Sequence, residues 1–186
     1  MALLIDNGWL NTARRVESPN HDLRPENTDI DLLVVHGISL PPRKYGGQEI
    51  EDFFCNCLVP GEHPYFSGIA NVRVSAHFLI RRDGELVQFV GLADRAWHAG
   101  LSCFEGRECC NDFSIGVELE GCDDEAYETC QYERLVELSQ FLMAAYPGIT
   151  PERIVGHCDI APGRKTDPGE AFDWSYFRRL LTGEEQ

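Results

Sequence analysis

The sequence predicts a mixed α/β (α+β) fold, a single domain (residues 1–186) in which a central mixed β-sheet is flanked by helices. The chain has 186 residues, of which 43% are hydrophobic, and this composition is typical of one globular core. Apolar runs typical of strands alternate with segments whose apolar residues recur at helical spacing. Asp83 and Gly84, between two strand-like runs, indicate a β-hairpin, so antiparallel pairing is expected inside the sheet.

The first elements follow from polarity and spacing. Residues 1–30 are polar and contain Pro19 and Pro25, which predicts an irregular N-terminal arm packed on the domain. Residues 31–38 carry the continuous apolar run of residues 32–35, which predicts a buried strand with His36 near its carboxyl end. Apolar residues at positions 50, 53, 54 and 57 predict a short amphipathic helix.

The middle of the chain alternates in polarity. Residues 72–80 predict a half-buried strand, and residues 85–90 form its returning partner in the hairpin. Residues 113–119 alternate in the same way and place Glu118 and Glu120 together on the polar face of a strand. A rigid element therefore carries both carboxylates.

The last elements complete the α/β pattern. Apolar spacing over residues 132–146 predicts a long helix that ends at Pro147. Residues 154–157 predict a short strand, residues 158–169 a loop rich in Pro and Gly, and residues 174–181 a closing helix. Helices thus cover the sheet.

Composition excludes several classes of partner. The chain carries 31 acidic and 16 basic residues, a net charge of -15, which disfavours nucleic acid. The longest apolar stretches, such as residues 141–146, are short of the roughly 18 residues that a membrane helix needs. The N-terminus lacks the basic region of an export signal, so we expect a cytoplasmic protein whose eight cysteines are reduced thiols. A monomer is expected as well.

A metal site is the strongest chemical hypothesis from the residues. His36 and His157 both end apolar strands where the chain enters Pro-containing loops, so they can meet at one sheet edge. Two histidines, one carboxylate and an open position make a catalytic zinc site. Either Asp159 or Asp167 can supply the carboxylate ligand. The His157-Cys158-Asp159 sequence also has the form of an iron-binding motif, but no histidine follows it.

Other residues have both a chemical and a structural interpretation. Glu118 and Glu120 can be the paired carboxylates of a glycosidase, although their spacing favours a solvated strand face. Lys165 lies two residues before Asp167 and places a cation beside any metal held there. Arg73 and Trp97 fall in segments that can line a groove.

Five blocks occur in order and carry a family resemblance: residues 34–42, 74–80, 95–100, 111–120 and 156–168. Together they closely resemble the AmpD-type cytoplasmic N-acetyl-anhydromuramoyl-L-alanine amidases. The resemblance covers nearly the whole chain, and the last block is long and unusual. It implies the fold of amidases related to peptidoglycan-recognition proteins.

The resemblance also implies the site. Zinc is held by His36, His157 and Asp167, which selects Asp167 over Asp159; Glu118 is the acid/base residue and Lys165 supports the transition state. Substrate contacts are expected at four further positions, Tyr65, Arg73, Trp97 and Arg164. The implied partner is a muropeptide, without nucleic acid or membrane.

The implied reaction is hydrolysis of the amide between 1,6-anhydro-N-acetylmuramic acid and L-alanine, in cell-wall recycling and control of β-lactamase induction. Two positions depart from the family pattern: Gly37, where members usually carry Asn, and Cys109, where some carry Arg. The competing class is a module that binds muropeptides without cleaving them. Such a module is expected to lack a complete metal triad, whereas all three ligands are present here.

Overall fold

A six-stranded sheet forms the centre of the molecule, which a computed structural model describes over residues 5–183. The strands of this part of the chain are β1 (Ile5–Asp6), β2 (Trp9–Leu10), β3 (Arg14–Arg15), β4 (His21–Leu23), β5 (Leu32–Ile38), β6 (Phe78–Ile80), β7 (Leu86–Gln88), β8 (Asp94–Ala96), β9 (Cys103–Phe104), β10 (Arg107–Glu108), β11 (Ser114–Glu120) and β12 (Ile154–Gly156). The α-helices are α1 (Glu49–Phe54), α2 (Thr129–Ala145), α3 (His157–Ile160) and α4 (Trp174–Thr182).

The sheet is mixed, as predicted. Its strand order is β12-β5-β11-β6-β7-β3, in which β12, β5, β11 and β6 run parallel and β6 and β7 form an antiparallel hairpin. The turn of this hairpin contains Asp83 and Gly84, which confirms the hairpin prediction. The carboxyl ends of the parallel strands meet at one edge, where open α/β sheets place their ligands.

The two longest strands, β5 and β11, pair in parallel from Leu32 and Ser114 to Ile38 and Glu120. All seven residues of β11 are buried. Apolar side chains of β11 pack in one cluster with residues of α2 and α4, and the smaller and polar side chains point to the opposite face. The expectation of a solvated face at Glu118 and Glu120 is therefore wrong, because other parts of the chain cover that face as well.

The N-terminal arm is more regular than expected. Between residues 5 and 23 it forms four short strands, and β3 pairs with β7 as the edge strand of the central sheet. Arg24 then donates to three backbone carbonyls at the start of β11, those of Asn111, Asp112 and Ser114. These contacts pack the arm on the domain. Residues 1–4 of the predicted arm lie outside the described residues.

Two predicted segments differ in extent. The strand predicted over residues 72–80 is regular only at Phe78–Ile80, because the amides of Ser75 and His77 bond to different neighbours, the carbonyls of Trp97 and Gly116. The loop predicted from residue 158 begins instead with the short helix α3, whose first residue is His157.

The remaining helices confirm their predictions. Helix α1 contains Ile50, Phe53 and Phe54 of the predicted amphipathic segment but ends before Cys57, and α2 ends just before Pro147. Helix α4 begins after Asp173, whose carboxylate accepts a hydrogen bond from the Tyr176 amide at 2.8 Å. Within residues 5–183, no helix combines the length and apolar character needed to cross a membrane.

Candidate metal centre

Three side chains converge at the carboxyl edge of the sheet. His36 lies near the end of β5, and His157 directly follows β12, the parallel neighbour of β5. Asp167 reaches the same point because the Asp167 carbonyl accepts from the Cys158 amide at 3.0 Å, which folds the loop back on α3. The Nδ1 atoms of the two histidines are 2.9 Å apart, and Asp167 Oδ2 lies 3.1 Å from His36 Nδ1 and 3.0 Å from His157 Nδ1.

These three atoms fit a metal ion. Ligand atoms at about 2.0–2.1 Å from a tetrahedral zinc lie roughly 3.3 Å from one another, close to the separations found here. His157 Nε2 lies 3.1 Å from the Ala99 carbonyl, an acceptor only, so this nitrogen carries the hydrogen and Nδ1 keeps its lone pair. Two imidazole nitrogens and one carboxylate oxygen form a donor set that suits zinc.

The protonation states also fit a metal. Burial lowers the pKa of His36 to about 4, against the opposing hydrogen bond to Asp167. Burial acts to raise the pKa of Asp167, but its hydrogen bonds with His157 and His36 outweigh burial and hold that pKa well below its usual value. At neutral pH, His36 is therefore neutral and Asp167 is ionised, the forms in which each binds a metal.

Glu118 stands beside this triad. In the β5–β11 ladder it is the register partner of His36, and its side chain is buried at 8% exposure. Its Oε2 atom has no hydrogen-bond partner among the described residues. Burial raises the pKa of Glu118 well above its usual value, the charge of Asp167 raises it further, and Lys165 opposes both. A carboxylate with a raised pKa binds a proton more strongly than an ordinary glutamate does.

A cavity of about 400 Å³ opens over the triad. Its polar lining includes His36, Glu118, His157, Lys165 and Asp167, together with His98, Ser39, Ser75 and Asp123. Apolar and aromatic side chains form much of the rest, including Phe53, Tyr65, Ile69, Val72 and Val74. The cavity can therefore hold a ligand that has both a hydrolysable polar bond and an apolar surface.

The predicted substrate contacts divide into two groups. Tyr65 lines the cavity and is 45% exposed. Arg73 donates to nearby carbonyls at the surface, the Trp97 indole donates to Asp22, and Arg164 donates to the Ala99 and Leu101 carbonyls. The structure does not bring these last three side chains to the lining of the cavity.

Two other carboxylates have structural roles. Glu120 accepts from the Gly46 amide at 2.7 Å and the Arg82 amide at 3.1 Å, and pairs with Arg81 at 3.3 Å. It is therefore not a partner of Glu118, and the paired-carboxylate arrangement of a glycosidase is absent at these two positions. Asp159 accepts from the Gly156 amide at 2.7 Å, away from the triad.

Tyr127 is a residue of this region that no sequence pattern indicated. Its hydroxyl donates to the Pro168 carbonyl at 2.9 Å, next to Asp167. A Cβ atom at Gly37 would lie only 2.4 Å from this hydroxyl oxygen, so the glycine beside His36 makes room for the tyrosine. The glycine at position 37, where family members usually carry Asn, indicated a close contact, but no sequence pattern connected that position to residue 127.

Known proteins resemble the chain in sequence and structure. A family profile described as N-acetylmuramoyl-L-alanine amidase matches residues 26–170. The 1,6-anhydro-N-acetylmuramyl-L-alanine amidase AmpD of Citrobacter freundii is 56% identical over 180 residues, 97% of this chain and 96% of that protein. A crystal structure of an AmpD selenomethionine derivative matches with a TM-score of 0.93 at 56% identity, covering 96% of this chain and 99% of that one.

A more distant structure contains a substrate. It is the complex of the amidase AmiD from Escherichia coli with anhydro-N-acetylmuramic acid-L-Ala-D-gamma-Glu-L-Lys. It matches with a TM-score of 0.59 at 28% identity and covers 95% of this chain and 65% of that one.

Proposed function

The chain belongs to the N-acetylmuramoyl-L-alanine amidase family, and from this premise we propose that it hydrolyses the amide between 1,6-anhydro-N-acetylmuramic acid and the L-alanine of a muropeptide. The observation that carries the proposal is the convergence, in a single cavity, of three metal-ligand atoms and a buried glutamate whose Oε2 has no hydrogen-bond partner within residues 5–183. Relatives that are 55–56% identical are named for the same bond and the same anhydro sugar, which supports this proposal.

The metal we propose is zinc, held by His36, His157 and Asp167. The chemistry that zinc supplies when bound is Lewis acidity toward the amide carbonyl and the attacking water. The neutral His36 and ionised Asp167 support this assignment, because neither must lose a proton to bind the ion.

Glu118 takes the proton of the attacking water and then delivers it to the leaving nitrogen of L-alanine. Its raised pKa supports the first step, because the ionised carboxylate is a stronger base than an ordinary glutamate. The Lys165 ammonium lines the same cavity and stabilises the negative charge that develops on the carbonyl oxygen.

Tyr65 and the apolar wall are the proposed contacts for the body of the substrate. Arg73, Trp97 and Arg164 are bonded elsewhere, so they act on substrate only if their side chains reorient. The AmiD relative is described in complex with an anhydromuramoyl peptide, which supports a ligand of this class.

The proposed setting is cell-wall recycling in the cytoplasm by a monomer. All eight cysteines are free thiols, and exported proteins rich in cysteine usually pair theirs. Cleavage of anhydromuropeptides removes inducers of β-lactamase in cells that have such a circuit, so the activity would restrain induction.

The test combines product analysis with metal content. The purified protein is incubated with an anhydromuropeptide, and mass spectrometry is expected to find free 1,6-anhydro-N-acetylmuramic acid and the intact peptide. Bound zinc is expected at one equivalent per chain and should be lost in His157→Ala. Tight binding without cleavage would favour the non-catalytic module, and a full zinc equivalent in His157→Ala would show that the ligands are misassigned.

A further inference from the structure

His98 contacts the metal ligand His36 on the ring nitrogen that faces away from the triad. The distance from His98 Nδ1 to His36 Nε2 is 2.9 Å, and the two rings meet edge to face with centroids 5.0 Å apart. We propose that His98 and Ser114 are positioning residues that hold His36 in the ring form able to bind the metal. The proposal rests on the zinc site inferred above.

The direction of each hydrogen bond follows from a backbone carbonyl. The Cys110 carbonyl can only accept, and Ser114 Oγ lies 2.5 Å from it, so the Ser114 hydroxyl donates there. Ser114 Oγ is also 3.1 Å from His98 Nε2. Because its one hydrogen is already used, Ser114 accepts from His98, and His98 Nε2 carries the ring hydrogen.

The tautomer of His98 in turn determines the tautomer of the metal ligand His36. A neutral imidazole with hydrogen on Nε2 has its lone pair on Nδ1, so His98 Nδ1 accepts and His36 Nε2 donates. The lone pair of His36 is then on Nδ1, the atom 2.9 Å from His157 Nδ1. The chain from Cys110 to His36 thus selects one tautomer.

Ala99, the residue after His98, supports the second histidine ligand, His157. The Ala99 carbonyl accepts from His157 Nε2 at 3.1 Å and so leaves His157 Nδ1 free for the metal. One side chain secures both supports, because Asn111 Oδ1 accepts from the amides of His98 at 3.1 Å and Ala99 at 2.7 Å.

The sheet leaves space for this arrangement. Gly116 lies between Ser114 and Glu118 on the same face of β11, and the His98 ring packs over it. A Cβ at Gly116 would come within 2.4 Å of the His98 Cγ atom, so a side chain there would displace the ring. The polar face of β11 is therefore used to support the metal ligand.

The first test separates hydrogen bonding from packing at His98. Loss of an outer partner of a metal ligand typically lowers metal affinity by about 10–100-fold. His98→Leu should show this loss of zinc affinity in competition with a chelator. His98→Asn should recover much of it, because its Oδ1 can replace Nδ1 as the acceptor for His36. Equal losses in both variants would reduce His98 to a packing role and overturn the proposal.

The second test has a matched serine control. Ser114→Ala removes the hydroxyl that orients His98 and should weaken zinc binding by about 10-fold, at the lower end of the effect of an outer-shell residue. Ser139 is equally buried, and its hydroxyl has no partner among the described residues, so Ser139→Ala should leave zinc affinity unchanged. Unchanged affinity in Ser114→Ala, or equal losses in both variants, would overturn the role of Ser114.

The third test needs no substitution. Nitrogen-15 correlation spectra of the imidazole rings in zinc-loaded protein should show hydrogen on Nε2 of both His36 and His98. Hydrogen on His98 Nδ1 would reverse the chain and overturn the proposal. If the wild type binds zinc tightly while His98 carries hydrogen on Nδ1, only this inference is refuted. If the wild type binds no zinc, the proposed function is refuted as well.

Discussion

At Gly37 a single hydrogen atom in place of a side chain makes room for the Tyr127 hydroxyl. Gly37→Ala would place a Cβ 2.4 Å from that oxygen and push it away from the Pro168 carbonyl. We expect a loss of about 1–3 kcal/mol in the free energy of unfolding, the usual cost of overpacking a buried position. Denaturant unfolding of the purified proteins measures it.

Tyr127→Phe provides the control because it removes only the obstructing oxygen. The next atom that a Cβ at Gly37 would meet is Pro168 Cα, at 3.5 Å, an ordinary contact. Gly37→Ala should therefore cost much less in the Tyr127→Phe background than alone. The same cost in both backgrounds would show that the two positions do not interact.

Glu118 and Glu120 differ in role although they share a strand face. Glu118→Gln should lower kcat by roughly 10²–10⁴-fold, the usual contribution of general acid–base catalysis, while the protein stays folded and keeps its zinc. Glu120→Gln should affect stability more than turnover, because Glu120 is bonded to Arg81 and two amides. Turnover of an anhydromuropeptide, zinc content and unfolding are measured for both. Near wild-type turnover in Glu118→Gln would refute the mechanism.

The raised pKa of Glu118 predicts a pH-dependent stability difference. Unfolded glutamate titrates near pH 4.3, about its ordinary value, whereas burial keeps Glu118 protonated to higher pH in the metal-free fold. Between these two pKa values the folded state holds a proton that the unfolded state has lost, so stability falls as pH rises.

Glu118→Gln has no proton to lose in that window. In chelator-treated protein its stability relative to wild type should therefore grow as pH rises above roughly 4, and level off above the raised pKa of Glu118. Denaturant unfolding across a pH series checks this. A difference that stays constant between acidic and neutral pH would contradict the burial of an unpartnered carboxylate.

The residues of the site could be predicted to different degrees. His36 and His157 follow from strand ends alone, because parallel strands bring their carboxyl ends to one edge. Asp167 could not be told from Asp159 by spacing, since the choice depends on how the loop folds back on α3. The role proposed for His98 depends on a contact with a residue 62 positions away in the chain, which no local pattern shows.

Among the elements, the N-terminal arm is held by strand pairing and by the half-buried cation Arg24. Arg24 donates to three carbonyls at the start of β11 and has its pKa lowered to about 10, chiefly by burial. Arg24→Ala leaves those carbonyls without this donor and should cost about 1–3 kcal/mol in the free energy of unfolding. Limited proteolysis should also cut the arm faster.

Arg15→Ala is the matched control in the same arm. Arg15 pairs with Glu17 and lies over the Trp9 ring at the surface, where both charged side chains are more than half exposed, so its removal should cost less stability than that of Arg24. If both variants accelerate cleavage of the arm equally, the arm is not held through Arg24.

Two features of the strands could not be predicted from the sequence: the short regular part of residues 72–80 and the burial of the polar face of β11. Alternation over residues 72–80 correctly placed a strand, but regular pairing needs amides that face one neighbour, and those of Ser75 and His77 do not. In β11 the polar and small residues Ser114, Gly116 and Glu118 resemble a solvent face. They are buried because distant segments pack on them, an arrangement that only the tertiary structure determines.

For the molecule as a whole, the chemical state of the cysteines tests the proposed compartment. All eight are free, from the buried Cys110 to the exposed Cys57. Thiol titration of protein prepared anaerobically and denatured without reductant should find eight reactive groups per chain, as for a cytoplasmic protein. In the native state Cys57 should react well before Cys110. Two or more stable disulfides would point to an exported protein.

The register that sets Glu118 opposite His36 also bears on how proteins of this kind can diversify. A slip of one residue between β5 and β11 would turn one of the two side chains to the other face of the sheet, so no graded series of intermediate spacings exists. Tyr65, Ile69 and Val72, by contrast, line the cavity from a segment outside the strands, where substitutions and insertions are tolerated. Descendants of this chain can therefore acquire new substrate preferences through that segment while inheriting the reaction unchanged.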